Sequence, residues 1–158
     1  MSTGVELRRA TDADAAEAAD VFITSRRTAL PTVVFPHTDD DVRRYVRNIF
    51  IGRTEAWVAT DGGRILAVMS LTPGWVQQLY VATEWQGRGI GRALLDLAKE
   101  RSAGELQLWA FQVNETARRF YERNGFVVAE LTDGSGNEEK EPDVRYIWRA
   151  ADRPQADS

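Results

Sequence analysis

Apolar and polar positions alternate with two different periods along this chain, and the two periods predict where strands and helices lie. Val5-Glu6-Leu7-Arg8 alternates with a period of two, as a half-buried strand does. Thr11-Asp12-Ala13-Asp14 supplies a capping residue followed by acids and predicts a helix that runs to about Thr28. A second capping sequence, Thr38-Asp39-Asp40-Asp41, precedes apolar residues at helical spacing. Residues 29–38 are therefore expected to form a loop between two helices.

The middle of the chain has the pattern of antiparallel strands followed by a helix. The apolar runs at 57–59 and 65–69 flank Asp61-Gly62-Gly63, and glycines accept the positive φ that a tight hairpin turn needs. Residues 75–81 predict a further strand. A glycine-rich turn follows, and then a helix from about Gly89 to Arg101 with its apolar residues on one face.

The last third of the chain predicts strands around one short helix. Residues 106–111 predict a strand, and Asn114 caps a helix that ends at Asn124-Gly125. Residues 126–131 and 144–148 predict a final pair of strands, separated by a long polar loop. The order β, α, α, β, β, β, α, β, α, β, β combines hairpins with one strand–helix–strand unit. It predicts an α+β fold with a mixed, mostly antiparallel central sheet flanked by helices.

Length and composition fit one domain without a metal. A chain of 158 residues with 43% hydrophobic residues can bury a sizeable core. We expect a single domain over residues 1–150 and a disordered tail over residues 151–158. The absence of cysteine excludes disulfides, thiolate catalysis and a cysteine-ligated metal, and the single histidine, His37, disfavours a zinc site.

The first residues and the charge restrict the location and the partners. Met1 to Glu6 contain no basic region followed by an apolar run, and no stretch approaches the roughly eighteen apolar residues of a membrane span. We therefore expect a cytoplasmic protein that does not bind membranes. With 24 acidic and 20 basic side chains the net charge is −4, and no Lys/Arg block is long enough to follow a nucleic-acid backbone. Nucleic acid is disfavoured as a partner.

The most informative motif is the glycine-rich turn Gln86-Gly87-Arg88-Gly89-Ile90-Gly91. A turn from a strand into a helix brings N–H groups together at the positive end of the helix dipole, where phosphate binds. One glycine suffices for a cap, and each glycine inside a helix costs up to about 1 kcal/mol relative to alanine. Three at alternate positions therefore indicate the close approach of a ligand. The spacing does not match the G-x-G-x-x-G of a dinucleotide fold, and the Gly-Lys-Ser/Thr of a P-loop is missing.

Three features in this order resemble the GNAT superfamily of N-acetyltransferases, and the resemblance covers nearly the whole chain. Gln86 to Gly91 match the family's acyl-CoA-binding pattern Q/R-x-x-G-x-G/A, and Asn114 opens the following helix. Phe120-Tyr121-Glu122-Arg123-Asn124-Gly125-Phe126 resembles the family's closing motif. The resemblance implies that acetyl-CoA is the co-substrate and that an acetyl group is transferred by direct attack of a primary amine, on a small molecule or a peptide.

The resemblance also implies roles for residues. The backbone of the glycine turn, extending to Arg92, would hold the CoA pyrophosphate, and the preceding strand would offer main-chain groups to the pantetheine arm. Tyr121 would protonate the leaving thiolate. Asn114 and Tyr121 are seven residues apart, almost two helical turns, so both could face one cofactor, although a helix cap and a rim aromatic are simpler roles for them. The implied cofactor-binding residues are Leu79, Tyr80, Val81, Gln86, Gly87, Arg88, Gly89, Ile90, Gly91, Arg92 and Asn114.

The general base and the exact activity stay open at this point. Some family members use a glutamate on the strand before the glycine turn, where this chain has Gln77 and Gln78, which accept no proton at neutral pH. A water relay is one alternative, and the other candidates are Glu84, His37, Glu138, Glu139 and Asp143. The missing carboxylate also supports a non-catalytic module that binds acyl-CoA or another protein.

The amine acceptor is the least determined part of the prediction. In this family, specificity usually comes from the loop between the first two helices and from the late loop. Here the first loop, residues 29–37, is apolar and the second, residues 132–143, is acidic, which favours an amine with a hydrophobic portion. The apolar loop could equally form a lid or the contact of a homodimer. A longer acyl chain on the donor is also possible, and Trp57, Trp75 and Trp109 are expected to build the core.

Overall fold

One seven-stranded sheet organises residues 4–151, the part of the chain that the computed structural model describes. The strands follow the order β1-β2-β3-β4-β5-β7-β6, and all neighbours are antiparallel except β4 and β5. This confirms the predicted fold class. The strands are β1 (Val5–Arg9), β2 (Glu55–Asp61), β3 (Arg64–Thr72), β4 (Trp75–Val81), β5 (Glu105–Phe111), β6 (Val127–Leu131) and β7 (Asp143–Arg149), and the helices are α1 (Ala15–Ala29), α2 (Asp39–Tyr45), α3 (Ile90–Arg101) and α4 (Glu115–Arg123).

The predicted elements lie where the local signals place them. At the start of α2, the Thr38 hydroxyl accepts a hydrogen bond from the Asp41 N–H at 3.1 Å, and the Asp41 carboxylate accepts one from the Thr38 N–H at 3.0 Å. This is the capping box that the sequence predicts. The helix then continues as a π-helical turn over Val46–Ile51. Residues 152–158, all but the first residue of the predicted tail, lie outside the described residues.

Apolar residues fill both faces of the sheet beside the helices. On one face, α1 and the α2 region bury Phe22, Val46 and Phe50, and on the other, α3 buries Leu94 and Leu95. No helix in residues 4–151 is long and apolar enough to cross a membrane.

The prediction that Trp109 builds the core is wrong, because this side chain is 45% exposed. Side chains alternate between the two faces of a strand, and the neighbouring Leu106 and Leu108 of β5 point into the core with α3. Trp109 therefore points to the opposite face, where α1 packs on β3 and β4. Trp57, by contrast, is half-buried against the core, as predicted.

The sheet opens between β4 and β5. These parallel strands pair at one position, Trp75 with Gln107, and then separate toward their carboxyl ends at Val81 and Phe111. A β-bulge in β4 leaves Gln77 without a partner on β3, since Ser70 lies opposite Gln78 and Leu71 opposite Val76. Ligands of open sheets bind outside the carboxyl ends of strands whose connections diverge, so this gap is where a site is expected.

Candidate active site

A cleft of about 1270 Å³ occupies the gap between β4 and β5. Its walls come from the end of α1, the glycine turn, α4 and the two loops that the sequence assigns to the acceptor. The predicted site residues that line it are Leu79, Tyr80, Val81, Gln86, Gly87, Gly89, Gly91, Arg92, Asn114 and Tyr121. Two predicted residues have side chains that lie elsewhere: the Arg88 guanidinium is 4.6 Å from the centre of the Trp85 ring, and the Ile90 side chain is buried in the core.

The N-terminus of α3 presents a group of free main-chain N–H donors to this cleft. Gly87 and Gly89 have φ values of +78° and +85°, which side-chain-bearing residues rarely adopt. Ala93 makes the first helical hydrogen bond, to the Gly89 carbonyl at 3.0 Å. The N–H groups of residues 87–92 donate to no atom of the described residues.

The start of α3 also differs electrostatically from the other helix starts. It has neither a side-chain cap nor an acidic residue in its first turn. The first turns of α1 and α4 contain Glu17 and Glu115, and that of α2 contains three aspartates. The positive end of a helix dipole attracts negative charge, which acidic side chains supply at the other three helices. At α3 this attraction is left for an anionic ligand.

Gly91 serves packing as well as the cleft. A Cβ atom at this position would lie 3.3 Å from Cζ of Phe120 and 3.5 Å from Cγ2 of Val81. The third glycine of the motif therefore lets α3 approach α4 and β4 closely, whereas Gly87 and Gly89 supply the backbone conformation of the turn.

The register of β4 decides which of its main-chain groups face the cleft. The Ala82 N–H donates to the Leu66 carbonyl at 2.8 Å, and hydrogen-bonded pairs alternate along an antiparallel ladder. The N–H and C=O groups of Leu79 and Val81 consequently point away from β3 into the gap. Those of Tyr80 point toward β3, so the prediction that Tyr80 offers main-chain groups to a cofactor is wrong.

The Val81 carbonyl already has two donors that confirm its direction. The Ser25 hydroxyl and the Gln86 side-chain amide each donate to it at 3.0 Å. Ser25 is buried at the end of α1, whereas Gln86 is exposed and can rotate away from the carbonyl. The edge of β4 is thus open to an added strand-like ligand.

Helix α4 places a buried phenol in the cleft. Asn114 caps the helix, since its Oδ1 accepts a hydrogen bond from the Ala117 N–H at 3.2 Å. Tyr121 is 8% exposed, and its hydroxyl donates to no atom of the described residues. Burial raises the pKa of this phenol, which stays protonated at physiological pH. Tyr121 is therefore more deeply placed than a rim aromatic.

A second tyrosine fixes α4 against the sheet. The buried Tyr146 of β7 donates its hydroxyl hydrogen to a Glu122 carboxylate oxygen at 2.6 Å and accepts a hydrogen bond from Nε of Arg118 at 3.0 Å. Because Glu122 and Arg118 both belong to α4, these two bonds hold the helix that carries Tyr121 in one orientation.

The structure separates the candidates for the general base. Glu84 pairs with Arg64 at 3.1 Å and does not line the cleft. Nε2 of His37 lies 3.2 Å from a carboxylate oxygen of Glu138, and this contact connects the two loops that the sequence assigns to the acceptor. The Asp143 carboxylate lines the cleft but accepts hydrogen bonds from Thr132 and Asn137. Glu139 lines the cleft and accepts no hydrogen bond from a described residue. Residues 4–151 contain no group of three or more metal-ligating side chains placed for a metal ion.

Among the cleft residues that were not identified from the sequence, two lie on α1. Ser25 and Arg26 lie at the end of α1, where the helix meets the predicted acceptor loop. Their only signal in the sequence was this position beside the loop, because a serine and an arginine on a helix are ordinarily solvated.

Comparison with known proteins agrees with this geometry. A family model described as an acetyltransferase (GNAT) domain matches residues 52–128, which include the glycine turn, the edge of β4 and Tyr121. This central part of the chain is similar to a GNAT acetyltransferase domain. Peptidyl-lysine N-acetyltransferase YiaC of Escherichia coli is 30% identical over 86 residues, which are 54% of this chain and 58% of YiaC. The chain spans about half the length of the curated relatives it matches, from 38% to 61%.

Solved structures share this fold over 93–94% of the chain. The apo form of YjaB from Escherichia coli has a TM-score of 0.77 at 20% identity and covers 93% of this chain and 99% of its own. PaiA N-acetyltransferase from Thermoplasma acidophilum, solved in complex with coenzyme A, has a TM-score of 0.74 at 21% identity and covers 94% of this chain and 99% of its own.

Proposed function

We propose that this protein is an N-acetyltransferase that moves an acetyl group from acetyl-CoA to a primary amine by direct attack. The observation that carries the proposal is the run of free N–H groups at the start of α3, which continues along the open edge of β4 to the buried phenol of Tyr121. One elongated ligand with phosphate at one end and a thioester at the other fits this path. A cytoplasmic location belongs to the same proposal.

The donor is held mainly by the main chain. The N–H groups of residues 87–92 bind the pyrophosphate, and the exposed Arg92 adds a positive charge beside it. The main-chain groups of Leu79 and Val81 pair with the amides of the pantetheine arm as an added strand would. The Leu79 N–H, two residues beyond the bulge at Gln77, polarises the thioester carbonyl in this proposal.

The acetyl transfer needs one acid and one route for a proton. The nitrogen of the neutral amine bonds to the carbonyl carbon, the carbon–sulfur bond breaks, and Tyr121 donates its proton to the departing thiolate. Water in the open cleft removes a proton from the nitrogen and restores that of Tyr121. The net change is one proton moved from nitrogen to sulfur, with an amide and free CoA as products.

The direct test is release of free thiol from acetyl-CoA in the presence of amines. The panel contains free amino acids, aliphatic amines and an N-terminally blocked lysine peptide, since the relative YiaC is named a peptidyl-lysine N-acetyltransferase. We expect amine-dependent turnover and saturable binding of acetyl-CoA by calorimetry. Failure to bind acetyl-CoA at high micromolar concentration would refute the proposal.

A second candidate function has one specific observation in its favour. Strand β4 carries Gln77 and Gln78 where a carboxylate would serve as a base, and the Gln77 amide donates to the Thr72 hydroxyl at 3.0 Å. A module that binds acyl-CoA without turnover fits this chemistry. Saturable binding of acetyl-CoA with no thiol release across the whole panel would favour it over the enzyme.

A further inference from the structure

Arg26 is a half-buried cation in the cleft whose side chain has no hydrogen-bonding partner among the described residues. Its Cζ atom lies 3.7 Å from the centre of the Phe35 ring and 5.2 Å from that of Phe22. The two rings hold the guanidinium group in place, while its N–H donors bond to no residue in the range 4–151. A half-buried guanidinium group without a protein acceptor favours an anionic ligand at this position.

Glu139 supplies the opposite charge in the same cleft as Arg26. The cleft is lined by two carboxylates, and the other, Asp143, is bonded to Thr132 and Asn137 within its own loop. Glu139 is half-buried and makes no hydrogen bond or ion pair with a described residue. The next residue back, Glu138, is already paired with His37.

Direct contacts connect Arg26 to the part of the cleft where Tyr80 lies. The Phe35 ring that stacks on Arg26 also meets Phe111 at 6.2 Å, and the Phe22 ring beneath Arg26 lies 4.6 Å from the ring of Tyr80. Burial raises the pKa of Tyr80 to about 12, while the charge of Arg26 lowers it and that of Glu139 raises it further. Arg26, Tyr80 and Glu139 all line this cleft, so the phenol and both charged groups belong to one pocket.

We infer that the acceptor of this site is a zwitterion, a free amino acid with an apolar side chain. Arg26 binds its carboxylate, and Glu139 binds its ammonium group and accepts the first proton, which passes to water before the amine attacks. The side chain packs on Phe35, Phe111 and the exposed face of Trp109. This inference rests on the proposed function. A lysine side chain within a peptide has no carboxylate near its amine and would leave Arg26 unpaired.

The decisive comparison uses L-phenylalanine, L-phenylalaninamide and the blocked lysine peptide as acceptors. The amide lacks only the negative charge, and its amine loses a proton more easily, so poorer use of the amide reports the carboxylate. We expect kcat/KM to be at least about tenfold higher for phenylalanine than for the amide, as a charge-assisted contact allows. Equal use of the two acceptors, or preference for the peptide, would overturn the inference.

Variants locate the contact. Arg26→Gln should lower kcat/KM for phenylalanine about tenfold and leave the value for the amide within about twofold, which removes the difference between them. Arg27→Gln is the matched control, because Arg27 is exposed, pairs with Asp39 and does not line the cleft. Glu139→Gln should raise KM for both acceptors, since both carry the ammonium group. A rise in KM for acetyl-CoA in Arg26→Gln, with the two acceptors slowed equally, would instead assign Arg26 to the donor.

Binding separates failure of the inference from failure of the enzyme proposal. Calorimetric titration of L-phenylalanine into the CoA-saturated protein measures recognition without turnover. If no acceptor is acetylated, the enzyme proposal fails, yet binding that weakens about tenfold in Arg26→Gln still supports the zwitterion site. Absence of binding, or equal binding by wild type and Arg26→Gln, contradicts it. Turnover of the amide at the wild-type rate for phenylalanine leaves the enzyme proposal standing and removes the inference.

Discussion

The two ends of the cleft are built differently, one mainly from main-chain groups and the other from side chains. At the proposed donor end, main-chain N–H groups of the α3 start and of β4 face the gap, and glycines position those of the α3 start. At the proposed acceptor end, side chains from α1, β4, β5 and two loops line the cleft, among them those of Arg26, Tyr80 and Glu139. The glycine turn is therefore visible in the local sequence, whereas a site made of side chains from several elements is assembled only by the fold.

The largest effect is expected where the two ends meet, at Tyr121. Tyr121→Phe should lower kcat by at least about a hundredfold, because the thiolate loses its proton donor. The acetyl-CoA affinity and the melting temperature should stay near the wild-type values, since the hydroxyl has no partner among the described residues. Steady-state kinetics, calorimetry and thermal unfolding measure the three quantities.

Tyr146→Phe is the matched control for the loss of a phenol beside α4. Its hydroxyl bonds to Glu122 and Arg118, so its removal should lower the free energy of unfolding by about 1–3 kcal/mol and leave kcat within a few-fold. Wild-type kcat in Tyr121→Phe would remove the acid role from the mechanism.

The next largest effect tests the electrostatics of the donor end. Arg92→Glu places an acid in the first turn of α3, which has none, whereas the first turn of α2 contains three aspartates. We expect the Kd for CoA to rise by about tenfold, because the carboxylate repels the pyrophosphate and competes for the free N–H groups. The free energy of unfolding should change by less than about 0.5 kcal/mol, since the gain at the helix dipole offsets repulsion from Asp96.

Arg53→Glu changes the net charge by the same amount at an exposed position away from the cleft, so its Kd for CoA should match that of wild type. An equal loss of affinity in both variants would show that total charge, and not the start of α3, governs binding.

A smaller effect distinguishes the side chain of the glycine turn from its backbone. Gln86→Ala removes the amide that donates to the Val81 carbonyl and frees this acceptor for pantetheine. Because exchanging one hydrogen bond for another changes little, the Kd for CoA should stay within about threefold of the wild-type value. A loss of tenfold or more in a calorimetric titration would mean that the Gln86 side chain itself binds CoA.

The smallest effect is the absence of an alkaline limb in the pH profile. Burial raises the pKa of Tyr121 above its ordinary value, so the phenol remains a proton donor as the pH rises. We expect kcat/KM for the amine to rise with pH and then stay level up to about pH 10, the ordinary pKa of tyrosine. A fall in rate between pH 8 and about 9 that is lost in Tyr121→Phe would contradict this pKa.

The sequence was sufficient wherever one short segment determines the structure. The capping box of Thr38 and Asp41, the cap at Asn114 and the glycine turn all form within a few residues of chain, and all lie where predicted. The GNAT resemblance rested on the same local segments, which is why the fold class was correct.

The incorrect predictions concern the relation between segments. Main-chain direction in β4 depends on its register with β3, which places Tyr80 differently from Leu79 and Val81. The exposure of Trp109 depends on which face of β5 the helices cover. Arg26 has significance only beside Phe35, on the loop after α1, and beside the late loop, which is distant in sequence. No local sequence pattern predicts these relations between segments.

Titration of ¹⁵N-labelled protein with CoA, followed by amide NMR, tests the central claim most directly. The account predicts that the largest chemical-shift changes fall on the amides of residues 87–92 and on those of Leu79 and Val81, while the amides of Asp39 to Asp41 in the first turn of α2 stay unchanged. Binding of CoA with its largest shifts outside the α3 start and the β4 edge, or no binding at all, would contradict it.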